Sequence, residues 1–230
     1  MSRCLWCSEA IELPMSFSQL FFEKPKKPYI CSNCFSRLDL VSDITEKCVS
    51  CCKPSKKERC QDCIDWSKHY PNDSFKHYSL YYYNSFAKDY MEKYKIMGDC
   101  ELSLLFSHAL KNHFEPSLKD TAVIPIPSSS KSMEKRGFNQ VELLLESAGI
   151  LFIKVLENIG DEEKQAKKNK QDRLTPPQPF IVDGEMKQKL KRKKIILVDD
   201  LYTTGRTMFH AYDAIKTCQP KDIQTFSLFR

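Results

Sequence analysis

The sequence predicts an α/β protein built on a parallel sheet, with a small cysteine-rich module at its N-terminus. Three observations carry this. Nine of the 11 cysteines fall between Cys4 and Cys63. Beyond Cys63, short apolar runs alternate with segments of helical period. The run Ile195-Ile196-Leu197-Val198 then ends in two acids and a hydroxyl-rich turn that opens a helix. With 230 residues, 41% hydrophobic and 29% charged, the chain is too long for a disulfide-stapled miniprotein and too apolar for a disordered tail. One ordinary domain with an appendage, or two small domains, fits this length; the boundary is placed between a module of residues 1–66 and a domain of residues 67–230.

The N-terminal run MSRCLWCSEAIELPM has no apolar core and no small-residue cleavage site, so a secretory leader is not expected. No stretch approaches the ~20 apolar residues that cross a bilayer. A cytoplasmic protein is expected, and in a reducing compartment closely spaced cysteines are metal ligands or redox groups before they are disulfides. The net charge of +6 is unevenly spread. Lys164, Lys167, Lys168, Lys170 and Arg173 form one basic cluster, and Lys187, Lys189, Lys191, Arg192, Lys193 and Lys194 another. Such runs are solvated loops or anion sites, and charge alone does not choose.

Within the module, four CxxC pairs appear in order: Cys4/Cys7, Cys31/Cys34, Cys48/Cys51 and Cys60/Cys63. Two thiolates three positions apart fit one tight turn with both sulfurs facing a tetrahedral centre ~2.3 Å away, so each pair is half a zinc site. Eight cysteines make two Cys4 sites. The simplest pairing is consecutive, giving two zinc ribbons; an interleaved pairing remains open, as does Cys52 replacing its neighbour Cys51. A thioredoxin-type redox pair would sit in a strand-to-helix context, whereas these lie in polar, turn-rich surroundings. With four cysteines per metal there is no open position, so the two zinc ions are expected to be structural. His69, His77, His108, His113 and His210 form no ligand pattern with the pairs, and Cys100 and Cys218 read as small apolar fillers on helices.

In the larger domain, His77–Tyr83 reads as an aromatic strand. Ser85–Ile96 has apolar positions at helical spacing, and Leu102, Leu105, Phe106, Ala109 and Leu110 continue with a second helical stripe. Thr121–Pro127 is a short buried-type strand and Ser128–Arg136 a polar loop. Asn139–Ala148 is helical, Leu151–Leu156 a strand, and Gly160–Pro179 a long loop without apolar period. Ile195–Val198 is a strand, Gly205–Thr217 a helix and Ile223–Phe229 a last strand. Alternation of this kind implies a parallel sheet with helices on both faces, and ligands bind such sheets outside the carboxyl ends of the strands.

The most informative segment follows Val198: Asp199-Asp200-Leu201-Tyr202-Thr203-Thr204-Gly205-Arg206-Thr207. A helix N-terminus leaves backbone N–H groups unpaired and favours a phosphate. Thr203, Thr204 and Thr207 add hydroxyl donors, Gly205 permits close backbone approach, and adjacent carboxylates can accept hydrogen bonds from a vicinal diol. A ribose 5-phosphate fits both halves. Two Asp that merely end a strand and cap a helix would explain the acids but not the Thr-Thr-Gly-x-Thr continuation. It is not a Walker A loop, which needs Gly-x4-Gly-Lys-Ser/Thr.

This run resembles the 13-residue phosphoribosyl pyrophosphate (PRPP) signature of type I phosphoribosyltransferases. Together with Val123-Ile124-Pro125-Ile126-Pro127, Arg136-Gly137-Phe138-Asn139-Gln140 and the N-terminal Cys pairs, the whole chain resembles the ComF family of late competence proteins, in its ComFC-type branch. The resemblance implies a type I phosphoribosyltransferase-like domain behind the zinc module. It implies that Asp199 and Asp200 hold ribose hydroxyls and that Thr203, Thr204, Gly205, Arg206 and Thr207 hold the 5-phosphate. It implies a pyrophosphate loop about Pro127–Arg136, with Ser128, Ser129, Lys131 and Arg136 as its binding residues and Mg²⁺ arriving with the pyrophosphate. Gly160–Pro179 would be a mobile hood that keeps the family's Gln165 and Arg173, although Thr-Pro-Pro after Arg173 departs from the family's polar continuation. It further implies action in natural transformation, binding PRPP and single-stranded DNA beside a helicase-like ATPase of the ComFA type. The alternative is an active phosphoribosyltransferase that acts on a base or another acceptor, since such chemistry rests on positioning and needs no conspicuous nucleophile.

Overall fold

The computed structural model describes residues 2–11, 28–69, 75–160 and 178–230. Residues 161–177, with Gln165, Arg173 and the first basic cluster, lie outside the described residues. Four strands form the central sheet: β3 (His77–Tyr81), β4 (Thr121–Pro125), β7 (Lys194–Leu201) and β8 (Asp222–Phe229). Their order is β3-β8-β7-β4, and every neighbouring pair is parallel. The predicted parallel sheet is therefore present, and the two acids of the motif lie within β7, not beyond its end.

Alternation along β7 sorts the core into two layers, because successive strand residues point to opposite faces. On the first face, Ile196 and Val198 pack with Phe86, Tyr90 and Tyr94 of α3 (Ser85–Met91) and its continuation, with Leu110 and Phe114 of α4 (Ser107–Phe114), and with Val141 and Leu145 of α6 (Gln140–Ser147). On the second, Ile195 and Leu197 pack with Met208, Phe209 and Ile215 of α8 (Arg206–Lys216). The helix predicted over Ser85–Ile96 exists, but its last turn, Glu92–Ile96, is a π-helix. The stripe from Leu102 is 3₁₀-helical over Cys100–Phe106 before α4 begins.

Several local expectations are corrected. Ser128–Arg136 is not a loop throughout: α5 spans Ser130–Arg136, capped by the Ser129 hydroxyl, which accepts from Ser132 N at 3.3 Å, and ended by Gly137 at φ +80°. The expected strand Leu151–Leu156 is without regular structure up to Val155, with Ile153 N bonded to Val123 O of β4 at 2.9 Å; the regular strand, β5, starts at Leu156 and ends at Asn158. It pairs antiparallel with β6 (Phe180–Val182), a strand too short to announce itself by period. A capped helix, α7 (Gly184–Leu190), starts at Asp183 in a stretch legible beforehand only as basic. Cys218 is buried as expected, whereas Cys100 is exposed and its thiol donates to Gly98 O at 3.4 Å. No helix among the described residues is long and apolar enough to cross a membrane.

The cysteine-rich region folds as two separate small units. In the first, β1 (Ser2–Arg3) and β2 (Ala10–Ile11) form a hairpin around Cys4 and Cys7, and Cys31 caps α1 (Ser32–Phe35). In the second, the bridge between Lys47 and Pro54 closes a turn around Cys48 and Cys51, and Cys60 leads into α2 (Gln61–His69). They dock on opposite faces of the sheet: Cys4 and Cys34 belong to the α3-side core, and Cys48, Cys51, Cys60 and Cys63 to the α8-side core.

Candidate functional site

The carboxyl edge of the sheet brings together the two loops that the sequence singled out. Pro125 is the register partner of Val198, and Ile126 N donates to Val198 O at 2.9 Å. Pro127–Ser129 therefore leave β4 beside Asp199 and Asp200. Asn139 fixes that exit: its side chain caps α6 through Val141 N and Glu142 N and donates to Ile126 O at 3.3 Å. Gln140 Oε1 gathers the Ser128 hydroxyl at 2.9 Å and the Arg136 guanidinium. The Arg-Gly-Phe-Asn-Gln run is thus a scaffold that ties both ends of the first loop together. Lys131 is exposed on α5.

The second loop runs from Leu201 into α8. Asp199 and residues 201–208, including Thr203, Thr204, Gly205, Arg206 and Thr207, line one small cradle. Gly205 sits at φ +83°, and a Cβ there would overlap the Tyr202 hydroxyl and ring. Only glycine permits this turn, so the residue that the sequence marked for close approach is also sterically required.

The two acids have different surroundings, as alternation on a strand requires. Asp199 is partly open and lines the cradle; its Oδ1 accepts from Asp200 N at 2.8 Å. Asp200 is 2% exposed and lies on the α3 face, where Lys95 of the π-turn reaches it: Nζ is 2.7 Å from both carboxylate oxygens, and the hydrogen bond goes to Oδ1. A buried carboxylate needs such a partner. Lys95 was not found from sequence, because one lysine in the run Glu92–Ile96 differs from its neighbours only in where the π-turn sends it.

Burial first, and the neighbouring Asp200 charge second, push the Asp199 carboxyl up to about 7, with Lys95 opposing. Its folded pKa lies above the unfolded value. Its protonation therefore contributes stability that is complete below the unfolded pKa of ~4 and is lost as pH rises through about 7. The ionised carboxylate is the stronger acceptor for a hydroxyl, so affinity for ribose 5-phosphate should rise between pH 6 and 8. Calorimetry on wild type and Asp199→Asn checks this: the variant should retain only the titration of the ligand itself, and equal slopes would exclude Asp199 as the acceptor.

The four Cys pairs assemble consecutively. Cys4, Cys7, Cys31 and Cys34 form one tetrad and Cys48, Cys51, Cys60 and Cys63 the other, with the sulfurs of each within 4.8 Å of one another. The interleaved pairing is excluded. Cys52 stands outside, at φ +60°, with its thiol donating to His77 O at 3.2 Å. Tetrahedral ligation at ~2.3 Å places sulfurs ~3.8 Å apart, and Cys7–Cys31 and Cys51–Cys60 are separated by 3.7 and 3.6 Å. Backbone N–H groups of Cys31 and Cys60 donate to Cys4 and Cys48 Sγ at 3.3 Å, as thiolates require. Each tetrad therefore fits one closed, structural zinc site.

Two residues that sequence reading missed join the second tetrad to the loop. Arg230 leaves the end of β8 beside Cys51, and Trp66 of α2 donates from Nε1 to Thr204 O at 2.8 Å. Nothing in the local sequence of either marks a role; only the parallel register of β7 and β8 and the docking of α2 bring them there.

Residues 106–230 match the family model of the phosphoribosyl transferase domain. The competence protein ComFC of Streptococcus pneumoniae (strain ATCC BAA-255 / R6) is 33% identical over 228 residues, covering 99% of this chain and 100% of that one. The competence protein ComFC of Bacillus subtilis (strain 168) is 30% identical over 233 residues, covering 99% of this chain and 94% of that one. A hypoxanthine phosphoribosyltransferase structure from Staphylococcus aureus overlaps 57% of this chain and 65% of its own, at 11% identity and a TM-score of 0.34.

Proposed function

The chain belongs to the ComFC family of competence proteins, with a phosphoribosyl transferase domain over residues 106–230, and from this premise we propose that it is a metal-braced, PRPP-binding accessory protein of DNA uptake in natural transformation. The observation that carries this reading is the shared cradle: Asp199 and Thr203–Thr207 line one cavity, beside the loop Pro127–Ser129. In the proposal the 5-phosphate rests on the amides and hydroxyls of Thr203, Thr204, Gly205, Arg206 and Thr207. Asp199 accepts from the ribose diol, and Asp200 shapes that end of the site from behind, held by Lys95. The pyrophosphate, with Mg²⁺ bound mainly by its own oxygens and water, meets Ser128, Ser129, Lys131 and Arg136. A structural zinc fills each tetrad.

Single-stranded DNA has a surface of its own in this reading. Lys187, Lys189, Lys191, Arg192, Lys193 and Lys194 are all exposed, the first two on α7 and the other four at the amino end of β7, opposite the cradle. A basic edge there can track phosphates without entering the pocket, while a ComFA-type ATPase works beside it in the cytoplasm. Thermal unfolding with PRPP and Mg²⁺ tests the pocket: ligand at 100 times its Kd stabilises by about 2.7 kcal/mol, and no shift at saturating ligand sinks the assignment. Oligonucleotide binding should weaken steeply with salt. Charge reversal at Lys191 and Lys193 should lower it without changing the PRPP shift. Release of pyrophosphate with an added acceptor would convert the proposal into one of an active transferase on the same residues.

A further inference from the structure

The second cysteine tetrad and the phosphate loop are far apart in sequence yet are bridged by the hydrogen bonds of one side chain. Arg230 continues β8 past Phe229, its backbone paired with Tyr81 and Tyr83, and alternation turns its side chain to the α8 face. There the guanidinium makes four contacts at once. Nε donates to Cys51 O at 2.7 Å and Nη2 to Cys51 Sγ at 3.1 Å. Nη1 donates to Tyr202 O and to Thr203 O, both at 3.0 Å, while the group lies over the Tyr202 ring at 4.7 Å. Trp66, three residues after Cys63, takes the next carbonyl, Thr204 O, and its indole stacks on Phe209 at 4.2 Å.

Three successive carbonyls of the loop are therefore held from the side of the second tetrad. In a trans peptide the C=O of one residue and the N–H of the next point in opposite directions. Holding the carbonyls of Tyr202, Thr203 and Thr204 outward turns the N–H groups of Thr203, Thr204 and Gly205 the other way. A concave row of such N–H groups is what binds a phosphate. The donors are also placed by the cysteines: the Arg230 fork spans Cys51 and the loop, and Trp66 rides on the helix that Cys63 anchors. A four-thiolate zinc centre carries a formal charge of about −2, which a guanidinium on one sulfur offsets, so a loaded tetrad strengthens the very hydrogen bond that fixes the fork.

We propose that Arg230 and Trp66 are positioning residues through which the second cysteine centre sets the peptide orientation of the loop, so that affinity for a ribose 5-phosphate group depends on that centre. This rests on reading the loop as a phosphate cradle, and the test separates the two claims. The full zinc-loaded chain is compared with Arg230→Met, Arg230→Lys and Trp66→Phe, the last of which deletes the N–H donor and keeps a smaller stacking ring. Metal content, ribose 5-phosphate affinity by calorimetry, and amide exchange across residues 202–207 are measured on each. Loss of charge-assisted and neutral donors, respectively, predicts about tenfold weaker binding for Arg230→Met and about threefold for Trp66→Phe. Faster exchange in the loop should accompany both, with two metals retained and partial recovery in Arg230→Lys. Unchanged affinity and exchange in the metal-loaded variants would overturn the coupling. Should Arg230→Met shed metal, Trp66→Phe, which removes the donor to Thr204 O, decides by the same two readouts wherever its own metal content is unchanged. Should wild type fail to bind ribose 5-phosphate, the cradle reading falls, and loop exchange alone decides whether the coupling stands.

Discussion

Replacing both acids, Asp199→Ala with Asp200→Ala, should weaken PRPP binding by about 100-fold or more while both metals stay bound. The magnitude follows from the chemistry lost. Each hydrogen bond from a ribose hydroxyl to a carboxylate contributes ~1.5–3 kcal/mol, and two together correspond to two to four decades in Kd. The structure divides the effect unequally. Asp199 faces the cradle, so Asp199→Ala alone should carry most of the loss. Asp200→Ala should act indirectly, by leaving the Lys95 ammonium without its buried partner, with a visible fall in thermal stability. Calorimetry and thermal unfolding on the three variants check this, and PRPP affinity unchanged in the double variant would remove both acids from the site.

That division shows what a sequence carries and what it does not. Four apolar residues, two acids and Thr-Thr-Gly-x-Thr identified the strand, the turn and the helix, because each is dictated by local chemistry: burial on both faces, a glycine at positive φ, unpaired N–H groups. Spacing also gave the cysteine pairs, since two thiolates on one turn are a local event. What stayed hidden depends on register across the sheet. Lys95 lies 105 residues in sequence from Asp200, Trp66 138 from Thr204, and Arg230 28 and 27 from Tyr202 and Thr203, the groups they hold. No periodicity encodes those distances. The short elements around β5 and β6 were missed for a different reason: three-residue strands are too short to show a period of two, and the pairing between Leu156 and Val182 crosses the segment 161–177.

Metal removal should have the largest effect on stability, and it should differ between the two tetrads. Among the described residues neither unit has a core of its own: the first contains two-residue strands and a four-residue helix, and the second a nine-residue helix. Units this small hold together through their metals, whose binding contributes ~10–16 kcal/mol in zinc-finger peptides. Chelation should release two equivalents of zinc and lower the unfolding midpoint by about 10 °C or more, since ~1 kcal/mol shifts a chain of this size by 2–4 °C. The consequences at the pocket should separate by face. Cys60→Ser dismantles the support of Thr203 and Thr204 and should lower ribose 5-phosphate affinity directly. Cys34→Ser acts on the other side, where Trp6, between Cys4 and Cys7, packs on Phe86 of α3 at 4.6 Å and Lys93 lies over its ring. Loosening α3 and its π-turn withdraws Lys95, which holds the Asp199 carboxyl down. The pH midpoint for binding should then move above about 7, with affinity at high pH largely kept. Affinity–pH curves on the two single variants check this, and a common loss in both, with no displacement of the midpoint in Cys34→Ser, would show that the units brace the domain as a whole and not the two halves of the pocket.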